Sequence, residues 1–196
     1  MTFQLSDRAQ ELIPKARIIS FATWLGKLSP EAIARFQTAD DQKIYLTDQD
    51  LAALSVEFLS ANGRLQVAKL LRDRAAQIVS QAREQVLAQF PGITEPGGDL
   101  YPPVRAENCW RDFWHFLRCV TYGIAGGQPE FTSAEGLHYM ELLYQELRVP
   151  IAAMIVGLEN LKTVSIQEIG DSPETIDIYF DHLINQLQNF QPALSP

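Results

Sequence analysis

The sequence predicts an all-α domain, on three observations taken together. Apolar residues recur at spacings of three and four over long stretches. Serine, threonine and proline residues that commonly begin helices precede several of these stretches, and we find no convincing strand pattern. The 196 residues suit one domain, able to bury roughly 70% of its unfolded surface. Since the chain has no internal repeat and no long linker, residues 1–196 form a single predicted domain.

Caps and apolar stripes predict four helices in the first half of the chain. We expect them over residues 5–25 with a kink at Pro14, from Ser29-Pro30-Glu31 onward, from the cap Thr47 to a stop at Asn62-Gly63, and over residues 64–90. Residues 91–103 hold four prolines and three glycines, which predict an irregular, exposed loop.

Four more helices are predicted in the second half. We expect them over residues 104–125 with a stop at Gly126-Gly127, from the capping box Thr132-Ser-Ala-Glu135 to residue 147, from Val149-Pro150 to residue 163, and from Ser172-Pro173-Glu174 to residue 189. Residues 190–196 are expected to form a loose tail.

Composition argues against several classes of function. The 24 acidic and 16 basic residues give a net charge of -8 without any lysine and arginine run, so we expect no nucleic-acid partner. The first residues do not resemble a signal peptide, and the apolar runs are too short to span a membrane. Cys109 and Cys119 lie about 15 Å apart along one predicted helix, too far for a disulfide. We therefore expect a cytoplasmic protein with free thiols.

The helix around Cys109 carries charged groups where a core helix would carry leucines. On a helical wheel, one stripe contains Arg105, Cys109, Asp112, Phe116, Cys119 and Gly123. Arg111 lies off this stripe, but its long side chain can reach a ligand that lies along the helix. The apolar surface around the stripe comes from Trp110, Phe113, Trp114, Phe116 and Tyr122.

A covalently bound linear tetrapyrrole would use all of these groups. A thiol can add to its vinyl or ethylidene group, Arg105 and Arg111 can bind its propionates, and Asp112 can accept hydrogen bonds from its pyrrole N–H groups. The residues alone leave plainer interpretations open. A cysteine in a helix is more often a small buried apolar residue. A solvated surface pair of Arg111 with Asp112, and an aromatic cluster that is simply core, remain alternatives.

Further segments along the chain follow a known pattern. They are Tyr45-Leu-Thr-Asp-Gln-Asp-Leu51, Phe58-Leu-Ser-Ala-Asn-Gly-Arg-Leu-Gln-Val-Ala68, Ile93-Thr-Glu-Pro-Gly-Gly-Asp-Leu-Tyr101, Cys109-Trp-Arg-Asp112, Phe116-Leu-Arg118, Thr121-Tyr-Gly123, Leu147-Arg-Val-Pro-Ile151 and Tyr179-Phe-Asp-His-Leu183. From about residue 40 to residue 187, the sequence resembles the phycobiliproteins, and among them allophycocyanin.

This resemblance implies a globin-like helical fold with an N-terminal helical pair that packs against a partner subunit. It also implies a bilin such as phycocyanobilin, thioether-linked at the position of Cys109. Arg111 and Asp112 match the family's contacts to the propionates and the pyrrole nitrogens, and Arg105 matches a further basic position near the propionates. Tyr122 matches an aromatic residue of the family motif, and we expect it to be core first.

Departures from the family pattern indicate a divergent member. Asp99 stands where the family commonly has asparagine, and Trp110 is bulkier than the usual aliphatic residue. The segment Pro102-Pro103-Val104 is unusual before the cysteine helix. Residues 1–40 form a divergent N-terminal helical extension that is longer than in antenna subunits.

The leading functional hypothesis is a bilin-binding, allophycocyanin-like protein of the phycobilisome that harvests light or transfers excitation energy. The alternative is a bilin-free structural or regulatory paralogue that binds antenna subunits or a photosystem. We expect other phycobiliprotein subunits or a second copy as partners through the N-terminal helices, since a terminal helical pair has little of its own chain to pack on. Linker proteins or a photosystem are further candidates. The expected location is the cytoplasmic face of the thylakoid membrane.

Two other classes receive little support from the sequence. A haem-binding globin is disfavoured because His115, His138 and His182 do not form a proximal and distal pair, and we expect His115 simply on a helix face. An enzyme is disfavoured because no serine-histidine-acid set, metal-ligand spacing or phosphate-binding glycine loop is visible. We therefore expect no catalytic residues and no metal site.

Overall fold

The structure, a computed structural model, describes residues 5–58, 62–172 and 174–191. Within these residues it contains α-helices and no β-strand, so the predicted all-α fold class is confirmed. The helices are α1 (Asp7–Leu12), α2 (Pro30–Asp41), α3 (Asp48–Glu57), α4 (Asn62–Asp73), α5 (Ala75–Gln89), α6 (Pro103–Gly126), α7 (Ala134–Leu147), α8 (Ile151–Ile169) and α9 (Asp177–Gln188). None of the described helices is both long and apolar enough to cross a lipid bilayer.

Helix α6 lies at the centre of the fold. Every residue from Phe116 to Gly126 is buried, because α4, α5, α8 and α9 all pack against this helix. The helix begins at Pro103, where proline suits the first turn, and it is capped by Gly127, whose φ of 63° is a left-handed conformation that favours glycine. Its first half keeps a polar stripe, and this stripe forms one wall of the site described below.

The N-terminal segment (residues 5–21) is mostly not helical, so the helix predicted over residues 5–25 is wrong. Only α1 forms, because Pro14 lacks the N–H group that a continuing helix needs. Beyond it the chain is extended and pairs with residues 131–133. The Ser20 N–H donates to the Phe131 carbonyl at 2.8 Å, and the Ser133 N–H donates to the Ile18 carbonyl at 2.7 Å.

Trp24 anchors the chain that follows this segment against α6. Its indole ring is fully buried, with ring centroids 4.8 Å from Phe21 and 4.9 Å from Phe36. The ring also lies over Gly126, where a Cβ atom would come within 2.7 Å of the indole atom Cζ3. Glycine is therefore needed at this position for the close approach.

The helical pair α2 and α3 buries five apolar residues within its own chain. These residues are Ala32, Phe36, Ala39, Leu51 and Leu54. The N-terminal helices therefore do pack on their own chain, contrary to the expectation from the sequence. A partner that binds at α2 and α3 would therefore contact side chains other than these buried ones.

Several helix boundaries in the structure differ from the predicted ones. The caps Ser29 and Thr47 are confirmed, each accepting a hydrogen bond from a first-turn N–H. Asn62-Gly63 begins α4 instead of ending α3, and the predicted helix over residues 64–90 is interrupted at Arg74. Differences elsewhere are smaller: Ser133 replaces Thr132 as the cap of α7, α8 extends to Ile169, and α9 begins at Asp177. Pro173 and residues 192–196 lie outside the described residues.

Candidate functional site

A cavity of about 740 Å³ lies between α6, α7 and the N-terminal segment. This volume falls within the range of about 300–1,000 Å³ that is usual for small-molecule sites. The wall from α7 is mainly apolar and contains Met140, Leu143, Tyr144 and Leu147. The N-terminal segment contributes Leu5, Ile13, Ala16, Arg17, Ile18 and Ile19. The third wall is the polar stripe of α6.

The stripe of α6 reaches the cavity largely as the helical wheel predicts. Five of its six residues line the cavity, and these are Arg105, Cys109, Asp112, Phe116 and Cys119. Gly123 does not, because it lies deeper in the core beneath the ring of Phe131. Arg111, Asn108 and His115 also line this wall. A thiol, a carboxylate and cations therefore face one enclosed space.

The thiol of Cys109 is nearly enclosed, with 4% of the residue exposed. Burial raises its pKa to about 12, the negative charge of Asp112 adds to this increase, and the nearby Arg105 opposes it. The group is therefore a protonated thiol at neutral pH. Because the thiolate is the nucleophilic form, Cys109 is not intrinsically reactive in this cavity.

Asp112 is one helical turn beyond Cys109 and is held by a side chain from α7. The hydroxyl of Tyr144 donates a hydrogen bond to Asp112 Oδ2 at 2.9 Å. Burial raises the pKa of Asp112 to about 6, while the Tyr144 hydrogen bond and the charge of Arg111 both lower it. The carboxylate is therefore mostly ionised at pH 7. Tyr144 could not be identified as a site residue from the sequence, since it lies on α7 as one member of an ordinary apolar stripe.

The two arginines predicted for the propionates differ in how they are held. Arg105 Nε donates to the Asp99 carbonyl at 3.0 Å, and its Nη2 donates to the Arg148 carbonyl at 2.9 Å. These bonds fasten the loop before α6 to the end of α7. Arg111 is exposed and makes no side-chain hydrogen bond within the described residues. Of the two, Arg111 is the one whose guanidinium is available to a ligand.

Tyr122 lies away from the other predicted site residues. It is fully buried and does not line the cavity. Its ring packs near Phe21 and Phe36, its hydroxyl donates to the Ile44 carbonyl, and it accepts from Arg118 Nη1 at 2.8 Å. Tyr122 is therefore a core residue, and it does not belong with Cys109 and Asp112.

One end of the cavity is built around a buried carboxylate that sequence reasoning missed. Asp40 Oδ1 lies 2.9 Å from Arg118 Nη1, and Asp40 Oδ2 lies 2.6 Å from Arg17 Nη2. Arg17 also pairs with Asp41 at 2.7 Å. Together these ion pairs join the N-terminal segment, the end of α2 and the middle of α6. They thereby fix the position of the segment that closes this side of the cavity.

Positive charge predominates around the cavity, although the whole chain is acidic. Five cationic residues line it against two carboxylates, and these are Arg17, Lys43, Arg105, Arg111 and Arg118 against Asp40 and Asp112. Lys43 is held in a left-handed backbone conformation, with φ of 56°, at a position where glycine is usual. This balance suits a ligand with at least two negative charges.

Comparison with known proteins gives consistent matches over most of the chain. The family model described as "Phycobilisome protein" matches residues 34–187. The allophycocyanin alpha chain of Galdieria sulphuraria is 34% identical over 151 residues, covering 76% of this chain and 94% of that protein. The allophycocyanin alpha-B chain of Porphyra purpurea is 29% identical over 147 residues, covering 74% and 91%.

A solved structure shares the fold. It is a far-red fluorescent biliprotein derived from a far-red induced allophycocyanin F subunit of the thermophilic cyanobacterium Chroococcidiopsis thermalis. The TM-score is 0.61 at 24% identity, over 66% of this chain and 99% of the other. The family match begins at residue 34. The cavity wall made by the N-terminal segment therefore lies outside the matched region.

Proposed function

Because this chain belongs to the phycobilisome protein family, we propose that its cavity binds an open-chain tetrapyrrole such as phycocyanobilin, thioether-linked to Cys109, for light harvesting or excitation-energy transfer. One observation carries the proposal: Cys109 and Asp112 lie one turn apart in the wall of a single cavity with an excess of positive charge. The cavity volume of about 740 Å³ supports a ligand of this size class.

The attachment step is an addition that needs no oxidant or reductant. The sulfur of Cys109 bonds to the ethylidene carbon of the pigment, and the thiol proton ends on the neighbouring carbon of the same double bond. Since burial holds the pKa of Cys109 at about 12, we expect the step to require a lyase that opens the site or takes up the proton.

The other groups would hold the pigment once it is attached. Asp112, with its carboxylate fixed by Tyr144, would accept hydrogen bonds from the central pyrrole N–H groups and favour their protonated form. Arg111 would pair with a propionate, whereas the guanidinium of Arg105 already donates to two backbone carbonyls. Tyr122 has no part in this arrangement.

Production of the chain together with phycocyanobilin and a suitable lyase tests the proposal. We expect a coloured protein whose pigment remains on the denatured chain and fluoresces with zinc. Cys109→Ala should abolish this covalent pigment, whereas the matched control Cys119→Ala, at the other buried thiol lining the cavity, should retain it. Covalent pigment on Cys109→Ala, or none on the natural chain, would contradict the proposed attachment.

A second candidate function is that of a structural or regulatory subunit that binds other phycobilisome subunits. The observation in its favour is that Leu25, Ile44 and Val56, all before residue 60, are exposed apolar side chains, with Val56 77% exposed. These side chains differ from the buried face of α2 and α3. We propose other phycobiliprotein subunits as the partners, at the cytoplasmic face of the thylakoid membrane.

Titration with purified allophycocyanin, followed by light scattering, tests this second candidate. Val56→Glu should weaken complex formation, whereas the matched control Ile178→Glu, an exposed apolar position on α9, should not. Equal binding by the two variants would remove the support for this surface.

A further inference from the structure

His115 lines the cavity six residues after Cys109. Its Nδ1 atom is buried and has no hydrogen-bond partner among the described residues. A proton on Nδ1 would be a buried donor without an acceptor, which is unfavourable. The imidazole proton is therefore placed on Nε2, at the other edge of the ring.

The surroundings of His115 are cationic and keep it neutral. Burial is the main cause that lowers its pKa, to about 4, followed by the charges of Arg118, Arg111 and Lys43, with Asp40 acting in the opposite direction. The ring of Trp114 lies edge-on to it, with centroids 5.4 Å apart. Arg17 and Tyr144, from the elements opposite, line the same cavity. The cationic surroundings at this end of the cavity therefore favour an anionic ligand.

We propose that His115 is a positioning residue for a ligand carboxylate, and that its Nε2–H donates to a propionate of the tetrapyrrole beside Lys43 and Arg111. This inference rests on the proposed function and names which end of the cavity receives the propionates. A carboxylate placed there offsets the three neighbouring cations. Pigment binding therefore raises the pKa of His115 from its low value in the free chain.

The test measures reversible binding, so that it does not depend on the thioether. In a Cys109→Ala background, phycocyanobilin and its dimethyl ester are titrated into the protein and followed by absorbance. The ester keeps the conjugated rings but has no free carboxylates. We expect the free acid to bind more tightly than the ester. His115→Phe should weaken free-acid binding roughly tenfold, the loss expected for a charge-assisted hydrogen bond, and should leave ester binding unchanged.

Two further variants control for structural effects. His115→Gln keeps an N–H donor and should recover part of the lost affinity. His138→Phe, at an exposed position on α7 outside the cavity, should bind both compounds as the background protein does. If His115→Phe does not fold, a free-acid affinity of His115→Gln equal to that of His115→Leu contradicts the proposal.

The pH dependence gives a readout that a purely structural role would not produce. The absorbance of the bound free acid should show a transition that is absent in His115→Gln and absent with the ester. If both compounds bind but His115→Phe leaves their affinity ratio unchanged, this inference fails while the pigment site stands. If neither compound binds, the proposed function itself fails.

Discussion

The Tyr144 hydroxyl donates to Asp112 Oδ2 across 2.9 Å and so joins α7 to the cysteine-bearing face of α6. This bond counteracts the effect of burial on the pKa of Asp112. The bond favours the ionised carboxylate, whereas burial favours the protonated form. Asp112 is thus held ionised and oriented by a residue that lies far from it in the sequence.

Removal of this bond should make Asp112 a weaker acid. In Tyr144→Phe, we expect the pKa of Asp112 to rise further above its value of about 6, because one hydrogen bond to the charged form is lost. Carboxyl carbon NMR over a pH series measures it directly. Tyr139→Phe, on the same helix but outside this cavity, should leave the titration unchanged. An unchanged Asp112 titration in Tyr144→Phe would show that the bond has no energetic role.

Asp112 should also make the stability of the pigment-free chain depend on pH. Its pKa is raised from 3.8 to about 6, so between these values the folded state binds the proton more tightly than the unfolded state does. The free energy of unfolding therefore falls as pH rises through this window. The free energy of unfolding of Asp112→Asn should therefore increase relative to that of the natural chain between pH 4 and pH 7, by on the order of 2–3 kcal/mol.

Urea unfolding at several pH values measures this difference. Glu107→Gln, at an exposed position on the same helix, serves as the control and should show no comparable trend. A difference between Asp112→Asn and the natural chain that stays constant with pH would contradict the prediction.

Substitution of the buried residue Asp40 should strongly destabilise the fold. Asp40 and Arg118 are both about 95% buried, so Asp40→Asn leaves an uncompensated buried guanidinium. We expect a loss of about 3–5 kcal/mol in the free energy of unfolding. Asp41→Asn is the matched control, since Asp41 is exposed and also binds Arg17, and its loss of stability should be much smaller. Similar losses in the two variants would contradict the prediction that the buried Asp40–Arg118 pair contributes more to stability than the exposed Asp41–Arg17 pair.

Gly126→Ala should destabilise the chain by forcing Trp24 out of place. The new Cβ atom would meet the indole ring at 2.7 Å, and such overpacking costs about 1–3 kcal/mol. In a Trp24→Leu background the same substitution should cost much less. Denaturant unfolding of the four proteins gives the coupling between the two positions. Additive losses would exclude a direct contact as the cause.

Local sequence patterns were sufficient to predict two helix caps and the face of α6 that lines the site. Ser29 and Thr47 were identified as caps because a cap depends on residues only a few positions away. The wheel put Arg105, Cys109 and Asp112 on one face because a helix determines its faces once its residues are known. The family resemblance is confirmed by the match over residues 34–187.

Contacts between distant residues could not be predicted in this way. Asp40, Tyr144 and Arg17 reach the cavity from other elements, and their own neighbours in sequence look ordinary. The N-terminal segment was predicted as a kinked helix because its apolar spacing is helical. It is extended instead because Phe131 and Ser133 offer backbone partners that only the folded chain brings near.

The pairing of residues 18–20 with residues 131–133 bears on when the proposed pigment would be attached. The ribosome completes α6, with Cys109 and Asp112, before it makes the residues against which the N-terminal segment docks. A nascent chain therefore passes through a stage at which Cys109 has been synthesised and the N-terminal segment has not yet docked. We expect the lyase of the proposed attachment to act on the chain before the N-terminal segment docks against residues 131–133.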